Sequence, residues 1–384
     1  MKFIYIANAR IPTEKAHGIQ IMKMCEAFSS AGSELELVLP WRFNKIKDNS
    51  FDFYGVKKNF KIKKLPSLDL ILLNIPKIGF WIQSLSFSIS VFLYLPFYTK
   101  GASTFGGGKT DIIYSRDSFP LFLLSFFKKN LVHEAHYLPK HFFLHRRVFK
   151  KAKAIIVITK QLKKSLIKKG IAENKILVAP DGVDLNKFDI DISKEEARKK
   201  LDLSQNKKIV LYTGHLYQWK GAQVLADAAR FLEKDIITAF VGGTKKDEKE
   251  FREKNKDLNN ILILGYRPYS EIPYYLKAAD VLVLPNSGKT EISKSWTSPM
   301  KMFEYMASQK SIVASDLPSL TEILNGNNAI LVEPDNPQSL AKGIEKALKN
   351  YDFSAKILIE AWQNVQKYTW TERVKNILLF IKPL

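Results

Sequence analysis

The sequence is poor in the residues that carry redox, metal and disulfide chemistry. A single cysteine, Cys25, stands among 384 residues. That excludes a disulfide framework and a Cys-based zinc site, and it fits a reducing compartment. The six histidines (17, 133, 136, 141, 145 and 215) form no HExxH pair. Four of them fall between 133 and 145, but Lys140, Arg146 and Arg147 in the same stretch oppose a bound cation. No GxGxxG is present, so the dinucleotide fingerprint is missing. No DxD-type pair of acids stands at a strand end, and metal-independent chemistry with no cofactor is expected. The opening MKFIYIA turns polar at once, with no long apolar region and no small-residue cleavage site, so a secretory signal is not expected and a cytoplasmic location is.

Acidic residues are scarce in one half only. Residues 1–190 hold 31 Lys and Arg against 14 Asp and Glu, a balance of +17, whereas residues 191–384 hold 29 against 24, a balance of +5. This asymmetry points to an acidic partner for the first half: anionic lipid, nucleic acid or a phosphorylated substrate. The basic stretches 57–64, 128–129 and 146–169 would form such a patch, so residues 57–169 are expected to make peripheral contact with an anionic membrane, on the inner face of the cell membrane. A nucleic-acid reading of the same charge lacks a recognition helix and RNP-like aromatics, and no nucleic acid is expected.

What the chain has in quantity is the alternation of short apolar runs with helical patterns. Its length suffices for two domains with full cores. MKFIYIA, residues 35–39, DIIYS at 111–115, LVHEA at 131–135 and KAIIVIT at 153–159 read as strands of a first sheet. A loop ending at His17-Gly18 leads into a helix over 19–30, and residues 106–108 (GGG) read as a flexible turn. Residues 78–99 hold 22 residues without a charge, long enough to span a membrane. Four serines from 84 to 90, Gln83 and Pro96 argue instead for an unusually apolar crossover helix, because the strand that follows belongs to the same sheet. Residues 190–205 are polar and read as a linker, with the boundary near 190.

The pattern then restarts. KIVLYT (208–213), IITAFV (236–241), ILIL (261–264), VLVL (281–284) and SIVAS (311–315) read as strands, each followed by a turn or loop. Gly214, Gly243 and the Gly265-Tyr266-Arg267 turn lie just after strands, so their loops converge on one edge. In TSPMKMFEYMASQ (297–309), Ser298 reads as a helix N-cap and Pro299 as the first helical residue. A helix N-terminus with Thr297, Ser298, Pro299 and Met300 is a seat for phosphate, Lys301 sits in the first turn, and Glu304 offers an acceptor for ribose hydroxyls.

These motifs, VLVLPNS…TSPMKMFEYMASQKSIVAS and YTGHLYQWKG above all, resemble the C-terminal signature of GT-B retaining glycosyltransferases of family 4. The likeness runs over nearly the whole chain. It includes the Gly18 loop, the strand leading to His136, DGVD at 181–184 and the start of the last helix at Trp370. The resemblance implies an α/β fold of two doubly wound Rossmann-like domains facing a cleft. Residues 1–190 would be the acceptor side, joined by the helix 370–384, and residues 191–369 would bind the donor. It also implies a UDP- or GDP-sugar donor and a glycan or lipid-linked acceptor, as in cell-surface polysaccharide or glycolipid synthesis. Glu304 would bind the ribose, and Lys220 with His215 the diphosphate, His215 standing where an arginine is more usual. His136 would contact the sugar, while Arg116 and Asp117 would face the acceptor. The first acid of the family's Glu-x7-Glu motif would fall at Trp296. Either Glu291 substitutes for it through a looped-out segment or sugar recognition differs. The alternatives are a basic nucleic-acid- or membrane-binding protein on the same scaffold without transferase activity, or a sugar-nucleotide epimerase of the same shape.

Overall fold

The computed structural model describes residues 1–70, 76–99 and 112–382. The glycine run 106–108 and Asp111 lie outside the described residues. Contacts divide the chain into two units, Met1–Ala179 with Trp370–Leu384, and Pro180–Thr369.

The first unit is built on seven strands: β1 (Lys2–Ile6), β2 (Glu34–Pro40), β3 (Lys61–Leu65), β4 (Ile112–Ser115), β5 (Leu131–Ala135), β6 (Ala154–Val157) and β7 (Ile176–Val178). They pair in parallel in the order β3-β2-β1-β4-β5-β6-β7. All residues of β4, β5 and β6 are buried, as expected of a parallel sheet covered on both faces. On one face, Ile4, Val38 and Ile113 share a core cluster with Phe87, Val91 and Leu95. On the other, Phe28 packs its ring 4.8 Å from Phe3 and 5.4 Å from Tyr114.

The charge-free run forms the helix Pro76–Thr99, placed between β3 and β4 of this one sheet. Its stretch Ile78–Leu95 is long and apolar enough to cross a membrane by length and composition. One face of it is nevertheless spent on the core. Gln83 and Ser84 are fully buried and bond the Asn8 side chain at 2.8 and 3.0 Å, just beyond β1. It is a crossover helix.

The second unit has six strands: β8 (Lys208–Thr213), β9 (Ile236–Val241), β10 (Ile261–Gly265), β11 (Val281–Leu284), β12 (Ser311–Ser315) and β13 (Ile330–Val332). They run parallel in the order β10-β9-β8-β11-β12-β13. Two large apolar clusters line its two faces, one around Phe303 and Leu282, the other around Phe240 and Val313.

Several expectations need correcting. The boundary falls at Ala179, not near 190, because Phe188 is already in the second unit's core and Val183 bridges Thr369. The supposed linker contains the helix Lys194–Lys200, held by a capping box of Ser193 and Glu196. Gly18 is not in a loop. The helix Ala16–Ser30 begins before it, and a Cβ there would stand 2.2 Å from the Tyr54 hydroxyl. That hydroxyl is committed to Thr13, accepting from its N–H at 2.6 Å and donating to its carbonyl at 2.8 Å.

Candidate functional site

In the second sheet, strand order reverses between β8 and β11. In open parallel sheets ligands bind outside the carboxyl ends of the strands at that reversal. The backbone is cleared for close approach there. Gly214, with φ +127°, donates its N–H to Val241 at 2.8 Å, and Gly242, with φ +117°, donates to Gly265 at 2.7 Å. A Cβ on Gly242 would stand 2.4 Å from the Gly214 carbonyl oxygen, so no side chain fits between the loops. The loop after β8 rests on the segment after β11. A Cβ on Gly221 would lie 1.6 Å from the Pro285 oxygen, and the Trp219 carbonyl accepts from Ser287 N–H at 3.1 Å and the Ser293 hydroxyl at 3.0 Å.

The helix seat differs in detail from the sequence reading. The helix runs Met300–Ala307 with Pro299 at the N-cap and no side-chain cap. Ser298 does not cap it, because its hydroxyl accepts the Asp181 N–H at 3.1 Å. Within the first turn the Met302 N–H donates to the Pro299 carbonyl at 2.9 Å, and no side chain caps the N–H groups of Met300 and Lys301.

Three ionisable side chains gather by this helix. Lys301 is 9% exposed, its ammonium lies 3.7 Å from the centre of the Tyr212 ring, and among the described residues it has no hydrogen-bond partner. It stands 3.8 Å from where a Gly214 Cβ would be. Burial, and then the neighbouring Lys220 charge, holds its ammonium well below the usual lysine range. Lys220 lies 5.3 Å from the Trp219 ring centre, and burial lowers it to about 8 against the pull of Glu304. Glu304 is buried and accepts the Tyr269 hydroxyl at 2.9 Å. Burial pushes its carboxyl up to about 7, while that hydrogen bond and then Lys187, Lys301 and Lys220 pull it down. A buried and a half-buried ammonium, both with depressed affinity for protons, thus stand by the start of this helix, where a bound anion would offset the cost of their charge.

The other residues expected there make contacts of their own. His215 stacks on Tyr217 at 4.9 Å between ring centres, and the Tyr212 hydroxyl donates to its carbonyl at 2.7 Å. Gly243, with φ +96°, follows β9. Tyr266 is exposed, and Arg267 commits its Nε to the Tyr275 hydroxyl at 2.8 Å. Thr297 is extended backbone at the end of a π-helical turn, Ile292–Trp296. Glu291 is exposed at the start of that turn. Tyr269 is the member that sequence reasoning missed.

The first unit carries its own polar cluster. His136 Nε2 lies 2.7 Å from Oε1 of Glu134, a fully buried carboxylate on β5. Glu134 also accepts from Gln20 at 2.6 Å, from Arg373 at 2.9 Å and from the Tyr114 hydroxyl. Burial alone would raise its carboxyl, but Arg373, then His136 and Arg116, hold it well below the usual range. Arg116 donates to Gln20 at 2.6 Å, and Asp117 accepts the Asn8 N–H at 2.7 Å. The strand LVHEA was legible, but not the role of its acid; a carboxylate inside an apolar strand was the signal. The other clustered histidines turn elsewhere: His133 to the Ser115 carbonyl, His145 to Ser118 and His141 to the Phe143 ring. Among the described residues no group of three or more His, Cys, Asp or Glu side chains gathers.

The comparisons agree with this architecture. The sequence model of the family Glycosyl transferases group 1 matches residues 193–364, and that of Glycosyltransferase Family 4 matches residues 19–187. An uncharacterised glycosyltransferase of Methanocaldococcus jannaschii is 27% identical over 238 residues, spanning 58% of this chain and 58% of that protein. The match thus covers less than two thirds of such a relative's length. A UDP-Gal:alpha-D-GlcNAc-diphosphoundecaprenol alpha-1,3-galactosyltransferase of Escherichia coli is 32% identical over 167 residues, 41% of this chain and 39% of that one. Among solved structures, Anabaena HepE in complex with UDP and glucose superposes with a TM-score of 0.75 at 17% identity, covering 100% of both chains. The chain belongs to the group 1, family 4 glycosyltransferases and has their GT-B α/β fold of two parallel sheets.

Proposed function

We propose that the protein is a retaining glycosyltransferase that moves a sugar from a UDP- or GDP-sugar to a hydroxyl of a glycan or lipid-linked acceptor, in polysaccharide or glycolipid synthesis. The observation that carries this reading is the trio of half-buried Lys220 and buried Lys301 and Glu304 at the strand-order reversal of the second sheet. A nucleoside diphosphate supplies what the trio lacks: phosphate oxygens for two ammonium groups and ribose hydroxyls for a carboxylate. The UDP held by HepE and the UDP-Gal in the name of the Escherichia coli relative support the donor class.

In this reading negative charge develops on the β-phosphate as the glycosidic bond breaks. Lys220, Lys301 and the N–H groups of Met300 and Lys301 stabilise that charge, and they are oriented before the reaction begins. The departing phosphate, on the face where the acceptor enters, takes the acceptor's proton, so configuration at the sugar carbon is kept. His136, oriented by Glu134, is the first unit's candidate for a sugar contact, and the reading calls for no metal. The test is calorimetry with UDP, GDP, ADP and CMP on the wild type and Glu304→Ala. One diphosphate should bind selectively and lose tenfold or more in the variant, as expected for a hydrogen bond to a charged group. Absence of binding by all four, or equal binding by the variant, would sink the donor assignment.

A further inference from the structure

Three helices cover one face of the first sheet. Pro76–Thr99, Ser118–Leu124 and Phe142–Lys151 send Phe87, Val91, Leu121, Leu124 and Val148 into one core cluster. Their other sides carry what a soluble surface avoids. Trp81, Leu85, Ile89 and Leu93 recur every fourth residue and are all close to half exposed or more. Ring contacts carry the strip sideways, Trp81 to Phe119 at 5.0 Å and Phe92 to Phe127 at 5.3 Å. Phe127 is 70% exposed and Phe143, on the third helix, 72%.

Cations border this strip. The Arg147 guanidinium lies 3.6 Å from the centre of the Phe126 ring, Lys128 and Lys129 follow Phe127, and Arg146 is exposed beside Arg147. Between residues 118 and 172 the chain has 13 Lys and Arg and a single acid, Glu134, which is fully buried. A nucleic acid would meet the cations but offers nothing to a stripe of leucine and isoleucine. A second copy of the chain would bring the same positive charge to the contact. An anionic bilayer surface satisfies both features, with acyl chains for the strip and headgroups for its border.

We propose that this face docks in the plane of an anionic bilayer, with Trp81, Leu85, Leu93 and Phe127 at the acyl boundary and Lys128, Lys129, Arg146 and Arg147 among the headgroups. The helix lies on the membrane and does not cross it, since its inner side is committed to the sheet. This inference stands apart from the donor site.

The full chain would be sedimented with vesicles of phosphatidylcholine alone and with about 30 mol% phosphatidylglycerol, at low and high salt. Binding should be at least tenfold tighter to the anionic vesicles. Leu85→Glu with Phe127→Glu should lose tenfold or more, and Lys128→Gln or Arg146→Gln about fivefold each at low salt. A blue shift of tryptophan emission on the vesicles should vanish in Trp81→Phe. Circular dichroism and the thermal midpoint establish that each variant is folded. Nucleoside diphosphate calorimetry on the same preparations reads the other site, so each idea can fail alone. Equal binding to both vesicle types, or no loss in Leu85→Glu with Phe127→Glu, overturns the proposal. So does a concentration-dependent dimer that Leu85→Glu dissolves, or displacement from the vesicles by duplex DNA.

Discussion

Replacing Glu304 by glutamine removes a carboxyl whose proton affinity the fold has raised from 4.5 to about 7. The unfolded chain exposes this group to water, where it ionises near its ordinary value. The folded state therefore holds the proton more tightly, and the penalty for ionising it is absent below pH 4.5 and complete above about 7. At about 1.4 kcal/mol per pKa unit the full penalty is about 3 kcal/mol. Between pH 5.5 and 8 it grows by about 2 kcal/mol. Wild-type stability relative to Glu304→Gln should fall by that amount as pH rises across the window, with no ligand present. Chemical unfolding of both proteins at both pH values isolates the effect of Glu304 and its coupling to Lys220 and Lys301, because titrating groups that do not interact with it cancel in the double difference. The melting transition of the second unit should shift by about 6 °C in the same comparison. A difference that stays constant with pH would refute the reasoning, since it would mean that the carboxyl is solvated. A saturating nucleoside diphosphate whose ribose hydroxyls bond the carboxylate should reduce the pH dependence.

Lys301→Met should leave the ligand-free protein as stable or more so, because it removes a buried ammonium that has no hydrogen-bond partner among the described residues. It should also weaken a nucleoside diphosphate about tenfold while leaving the bare nucleoside unaffected, read by calorimetry with both ligands. Gly221→Ala places a Cβ 1.6 Å from the Pro285 oxygen at φ +73°, and should cost at least about 2 kcal/mol in chemical unfolding of the second unit. Arg373→Met leaves Glu134 buried without its main counter-charge, a loss of about 3–5 kcal/mol near pH 7. Because Glu134 is held below its ordinary pKa, the wild-type advantage should shrink as pH falls, and Glu134→Gln in the same chain should recover part of it.

The alternation of apolar runs and helical patterns was enough to read two parallel sheets, and glycines after strands marked the edge where Lys220 and Glu304 stand. What the sequence hid was long-range pairing. Ser298 has every local feature of an N-cap, yet its hydroxyl serves a backbone N–H 117 residues away. Tyr269 reads as a helix-entry residue until the fold brings it to Glu304, 35 residues on. The boundary was misplaced because a polar stretch looks like a linker, whereas the division falls where apolar side chains change cores, between Ala179 and Phe188.

Arg373 reaches Glu134 across 239 residues, and the helix that carries it, Trp370–Ile381, belongs to the first unit. Order of synthesis and order of completion are therefore inverted. The second unit is one unbroken stretch and has all its residues as soon as Thr369 leaves the ribosome. The first unit, begun earlier, waits until residue 373 has been made before its buried carboxylate receives its guanidinium. During that interval Glu134 must stay hydrated or protonated. The nascent first sheet is then an incomplete body, open at the very residue that orients His136. A chain stopped just before residue 370 would carry a finished second unit attached to a first unit that never closes.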